Sequence, residues 1–229
     1  MKKVLIASVV LALLSLPVFS QPVDKLISVD GHGEVNVEPN VAYVRFGVEV
    51  IENEAVKAQT VNAERMTKLI QAMNDIGIER DNIETENYNL TPLTKYGPDK
   101  KIQIIGYRCD NQVTVTIDNM DTVGNVIDKG ISAGADRVDS LTFSIKDEQK
   151  YKYIALEKAV EDAKGKARTI ENAAKVQIKR IYNISEKGAA VMPVGFGRFA
   201  VAAMESALAT PIISGKVKVT ADVQMHFEF

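Results

Sequence analysis

The chain has 229 residues, of which 46% are hydrophobic and 25% charged, with a formal net charge of -2. That length and apolar content suit one sizeable core, as one domain or two packed lobes, and argue against disorder. The interspersed signs argue against the basic stripe of a nucleic-acid binder, and the single cysteine excludes an internal disulfide.

Lys2 and Lys3 precede an apolar run over 4–16, followed by Pro17 and then Val18-Phe19-Ser20. This is the pattern of a secretory leader cut after Ser20. The run is short for a ~30 Å hydrocarbon core, and no cysteine stands at the cut to carry a lipid. Losing Lys2 and Lys3 takes the charge from -2 to -4. The expectation is a mature chain from Gln21, exported to the periplasm.

Alternation over 26–38 predicts a strand, with Ile27, Val29, Gly31, Gly33, Val35 and Val37 on one face and Ser28, Asp30, His32, Glu34, Asn36 and Glu38 on the other. Pro39-Asn40 turns the chain into a second strand through Val44, Phe46, Val48 and Val50. A helix follows over 54–76, its stripe formed by Ala63, Met66, Leu69, Ile70, Met73 and Ile76, and Gly77 ends it. Strands over 83–93 and 105–117 flank a polar turn at 95–100.

A second helix is predicted over 120–133 with Val123, Ile127 and Ile131 inward, then a strand over 138–146. The run strand, helix, strand, strand, helix, strand is a βαββαβ, split-βαβ or ferredoxin-like arrangement, and the fold class is α+β. An added N-terminal strand precedes this core. A long helix over 149–176 follows it, with a seam of Tyr153, Leu156, Val160, Ala163, Ala167, Ile170 and Ala174 and an Asp162–Lys166 pair. Strands over 178–185 and 216–229 close the chain.

Several stretches carry a family resemblance: Gly31-His-Gly-Glu-Val-Asn-Val-Glu-Pro39, Asn87-Tyr-Asn-Leu-Thr-Pro92, Ile105-Gly-Tyr-Arg-Cys-Asp-Asn-Gln-Val-Thr-Val115, Ala133-Gly-Ala-Asp-Arg-Val138 and the alanine-rich helix from Ala155 to Ala174. They resemble the SIMPL-domain family over nearly the whole mature chain, least over 188–213. The resemblance implies a periplasmic or outer-membrane-associated bacterial protein. Some members of that family are immunogenic, some are linked to oxidative-stress tolerance, and one type forms a hollow, channel-like oligomer. It supplies no catalytic residues and no cofactor.

The residues themselves offer little chemistry. Asp30, His32 and Glu34 share a strand face and His226 lies on the polar face of the last strand, so these four are the metal-ligand candidates. A zinc site needs three or four donors converging at ~2.0–2.2 Å, which strand spacing alone does not provide; the plain alternative is a solvated polar face. Gly195-Phe-Gly-Arg-Phe-Ala200 matches a dinucleotide fingerprint without a clean strand leading into it. Cys109 lies on the apolar face of its strand, which favours packing over redox work. Walker, nucleophile-elbow and His-Glu-x-x-His motifs are missing from the sequence.

The segment 188–214 has two charged residues, Arg198 and Glu205, among many apolar ones, broken by glycine and proline. Its side chains need the domain's own core, a second subunit or a lipid boundary. Phe196, Phe199, Val201, Met204 and Leu208 are the candidate interface residues. The leading expectation is an exported non-catalytic protein that self-associates, with an envelope or oxidative-stress role implied by the resemblance. The alternatives are an outer-membrane-associated, channel-like assembly and a periplasmic hydrolase or metal-binding protein.

Overall fold

A computed structural model describes residues 25–98, 100–196, 212–229 and the backbone of 199–200. The leader at 1–20 and Val201, Met204 and Leu208 lie outside the described residues. The architecture is α+β, with two antiparallel sheets and three α-helices among the described residues.

The larger sheet grows from the middle of the chain. β2 (Val41–Glu52) leads into α1 (Ala55–Asp75), and β3 (Ile83–Tyr96) pairs with β4 (Ile102–Ile117) as a long hairpin. A 3-10 turn then gives way to α2 (Val123–Ser132) and β5 (Arg137–Ser144). The strand order is β3-β4-β2-β5, every neighbouring pair antiparallel, which is compatible with the split-βαβ expectation. Val44, Phe46, Val48, Val113, Val115 and Leu141 point from this sheet toward Met66, Leu69 and Met73 of α1 and Val123 and Ile127 of α2.

The smaller sheet joins the two ends of the chain. β1 (Leu26–Val37) and β6 (Arg180–Met192) lie on either side of β9 (Val217–Glu228), with α3 (Glu148–Ala174) packed over β1 and β9. The predicted alternation holds: Val217, Val219, Ala221, Val223, Met225 and Phe227 are all buried. Asn40 fixes the passage between sheets. Its amide donates to the Ser144 carbonyl at 3.1 Å, and its side-chain oxygen accepts from the Lys146 amide at 2.8 Å.

Four differences from the sequence reading have physical causes. In α1 the buried column is Ala58, Asn62, Met66, Leu69 and Met73, while Ala63 is exposed. Asn62 takes the inward place because its Nδ2 donates to the carbonyls of Val48 at 2.9 Å and Cys109 at 3.2 Å. In α2 Val126 is buried beside Val123 and Ile127, and Ile131 is only half-buried. In α3 the seam is a strict four-residue column, Ala155, Ala159, Ala163 and Ala167, leaving Tyr153, Ile170 and Ala174 exposed. Small residues win there because the helix backbone lies almost on the strand. Finally, the β3–β4 hairpin continues to Tyr96 and Ile102, well past the expected ends.

The described part of 188–214 is largely strand. β6 runs to Met192, and β7 (Val194–Phe196) and β8 (Phe199–Ala200) both pair with β5. Val194 and Ile212 pack on the larger core.

Candidate functional site

The outer face of the smaller sheet holds the metal-ligand candidates, and the structure does not bring them together. His32 sits opposite Asp222, with Nδ1 2.8 Å from Oδ1. Glu34 accepts from Lys218 at 2.9 Å and from Asn36 at 2.9 Å, and the bond from Lys218, then that from Asn36, holds its carboxyl below the usual range. Asp30 lies across from Gln224. His226 faces Ser28 and Asn183, four residues from Asp222 and so roughly 13 Å along the strand. Among the described residues no group of three or more His, Cys, Asp or Glu side chains is placed to hold a metal ion.

The same strand has a second set of contacts. β1 is an edge strand, and three α3 side chains spaced at four residues reach its free backbone. Lys158 donates to the Glu34 carbonyl at 2.9 Å, Asp162 accepts from the His32 amide at 2.8 Å, and Lys166 donates to the Asp30 carbonyl at 2.8 Å. Lys166 also pairs with Asp162 at 2.7 Å, as the sequence suggested. The ladder occupies the groups that another strand would use. A groove of about 530 Å³ beside it is lined by Val29, Asp30, Asp162, Gly165, Lys166, Thr169 and Ile170; its charged pair is already engaged within the ladder.

Asp162 makes this edge sensitive to acid. The bond from Lys166, then that from the His32 amide, holds its carboxyl below the ordinary value of 3.8. A depressed folded-state pKa means the contribution is complete above the ordinary value and lost as pH falls through the lower, folded one. The His32 amide is therefore expected to stay protected from hydrogen exchange down to about pH 4 and to lose protection in more acidic solution. Asp162→Asn, with no carboxyl to titrate, should remove that acid-dependent step and leave the His32 amide less protected at neutral pH; an unchanged His32 exchange profile in the variant would contradict the ladder.

Cys109 is buried, as its alternation predicted. The Tyr88 hydroxyl hydrogen-bonds its sulfur, and this bond, ahead of burial, holds the Tyr88 pKa above the ordinary value. Of the interface candidates, Phe196 is exposed yet its ring meets Phe143 edge-on at 6.3 Å, so it packs partly on its own subunit. Phe199 is placed by its backbone beside Val138. Residues 194–196 and 199–200 pair with β5, so Gly195 of the fingerprint-like stretch lies in a strand.

A polar cluster on the open face of the larger sheet escaped the sequence reading. Arg137 lies flat over Gly47, where any Cβ would sit 2.5 Å from its guanidinium carbon. It donates to Asp110 at 2.5 Å and to Asp139 at 2.9 Å, and it is only 7% exposed. Burial lowers its pKa, but the bonds it donates to Asp110 and Asp139 outweigh that and keep it raised. Next to it Asp136 accepts from Arg65 at 2.6 Å and from the Glu49 amide at 2.7 Å. The available signal was a glycine in mid-strand, which marks a close approach.

The family model described as SIMPL, a protein of unknown function (DUF541), matches residues 27–227. The chain belongs to the SIMPL family. It is 29% identical over 226 residues to the "26 kDa periplasmic immunogenic protein" of Brucella melitensis, covering 93% of this chain and 90% of the relative, and it matches the Brucella abortus protein of that name equally well. It is 24% identical over 158 residues to "Uncharacterized protein YggE" of Escherichia coli K12, covering 69% of this chain and 64% of that one.

The SIMPL stretches now have structural tasks. The glycines of Gly-His-Gly-Glu admit α3, and Gly106 is tight against the Glu52 carbonyl, where a Cβ would lie at 3.1 Å. Asp136 and Arg137 of Ala-Asp-Arg-Val tie β5 to α1, β2 and β4.

Proposed function

We propose that this SIMPL protein is an exported, periplasmic, non-catalytic protein that acts by self-association in the cell envelope. The observation that carries the reading is the unequal treatment of the two edges of the smaller sheet. β1 is closed by the Lys158–Asp162–Lys166 ladder. At the other edge β6 is 13 residues long, pairs with β9, and exposes Ile181, Tyr182, Ile184 and Met192. A long edge with apolar side chains is a template for another chain unless it is blocked. The Brucella relatives named as periplasmic support the compartment, and a part in envelope or oxidative-stress physiology is what the family resemblance implies for it.

Light scattering of the exported protein tests it. The wild type is expected to be oligomeric at micromolar concentration. Ile184→Lys, at an exposed site that leaves the core intact, is expected to weaken association about tenfold or more. A monomeric wild type, or an Ile184→Lys protein that assembles unchanged, would remove the β6 edge from this account.

A further inference from the structure

We infer that the tip of the β3–β4 hairpin docks on an anionic lipid surface. The last pairing of β4 with β2 is Tyr107 with Glu52, so residues 93–96 and 102–106 continue beyond the sheet as a two-stranded ribbon. With Thr94 opposite Ile104 and Tyr96 opposite Ile102, these four side chains share one face of it. Tyr96 is 77% exposed, Ile102 65% and Ile104 57%, and Ile105, which bulges beside them, is 51% exposed. A bare two-stranded ribbon is marginal in water, so one with an apolar face lacks the partner that its composition suits.

Charge selects the partner. Residues 93–106 contain Lys95, Lys100 and Lys101 against Asp99, a balance of +2 (3 minus 1), in a chain of net charge -2. Lys95 and Lys100 are exposed. The turn is held by Gly97 N–H donating to Lys101 at 2.8 Å and Lys100 N–H donating to Gly97 at 2.9 Å. The acids at the foot, Glu49 and Glu52, are paired with Arg108 and Lys57. The four strand pairs beyond the sheet reach roughly 10–14 Å, comparable with the ~5–10 Å depth at which interfacial elements bury apolar side chains. An aromatic ring among lysines is also the composition of a bilayer interface. A second copy fits less well: two ribbons face to face would bury less than the ~1,000 Å² of a stable interface and would set lysines against lysines. No helix among the described residues is long and apolar enough to cross a membrane; the inferred contact is docking by the ribbon tip. It is independent of the β6 edge.

The chain contains no tryptophan, which makes Tyr96→Trp a single reporter at the tip. Added to the exported protein, vesicles containing phosphatidylglycerol are expected to shift its emission to the blue and to carry the protein upward in flotation, while phosphatidylcholine vesicles do neither and added salt reverses both. Lys95→Gln with Lys100→Gln should weaken binding roughly tenfold or more, and so should Ile102→Ser with Ile104→Ser. Circular dichroism is expected to stay unchanged in both, since the ribbon lies outside the cores. Equal binding to both vesicle types, or none, would overturn the inference. So would emission already blue without vesicles that reddens on dilution, which would assign the ribbon to a second copy.

Discussion

Replacing Gly33 with alanine is expected to be among the most damaging single-methyl changes available in this protein. A Cβ there would overlap the Ala155 carbonyl oxygen and lie 2.6 Å from the Ala159 amide nitrogen. Both obstacles are backbone, so no rotamer change relieves them, and α3 has to lift off β1. Lifting the helix opens the alanine column of Ala155, Ala159 and Ala163 and stretches the Lys158, Asp162 and Lys166 bonds to the strand edge together. Overpacking of a core costs ~1–3 kcal/mol when side chains absorb it; here a loss of about 3 kcal/mol or more is expected, read as a lower denaturation midpoint. Gly31→Ala should behave alike, because its Cβ would overlap the Ala159 carbonyl and approach Ala163 Cβ at 2.7 Å. Gly165→Ala, on α3 with nothing within 4 Å of the added carbon, is the control and should be neutral or slightly stabilising. A Gly33→Ala midpoint matching that control would show that α3 does not lie on this strand.

The parts of this fold that the sequence made legible are those where one face is apolar and the other is not. β1, β9 and the part of β4 from Cys109 onward alternate residue by residue, so their buried faces could be read off directly, while Ile105, on the same expected face, is exposed at a bulge. Where backbone proximity decides, hydropathy misleads. The α3 seam was read through Tyr153 and Ile170 because they are large and apolar, yet the strand admits only the alanines one turn apart. Asn62 was passed over for Ala63 because a polar residue looked like a surface residue; two carbonyls on neighbouring strands make its inward position favourable. The hairpin beyond Leu93 was read as a turn because Lys95, Gly97 and Pro98 signal one, while the period-2 pattern of Ile102, Gln103 and Ile104 already favoured strand.

The same contrast applies to the site. His32, Asp30 and Glu34 share a face, but His32 bonds Asp222, Glu34 bonds Lys218, and Asp30 lies across from Gln224. Convergence on a sheet requires residues from adjacent strands at one level. That is the arrangement at Arg137, where β4 contributes Asp110, β5 contributes Arg137 and Asp139, and β2 contributes only the bare floor of Gly47. No linear motif announces such a cluster, since its members are 27 positions apart for one pair and two for the other.

Removing the guanidinium tests how far that cluster holds the larger sheet. Arg137→Met keeps most of the side-chain volume over Gly47 but takes from the Asp110 carboxylate, 20% exposed, the guanidinium it pairs with at 2.5 Å. Breaking a buried ion pair by removing one partner costs ~3–5 kcal/mol, because the remaining charge is neither solvated nor matched. A loss of that order is expected for Arg137→Met, discounted toward the lower end since Asp110 retains some water. The triple variant Arg137→Met with Asp110→Asn and Asp139→Asn should recover a large part of it, because neutral amides can hydrogen-bond without an unpaired charge. Recovery separates the charge from the packing: a triple variant as unstable as the single one would mean that the guanidinium acts by filling space over Gly47, and a stable single variant would mean that Asp110 has solvent enough without it.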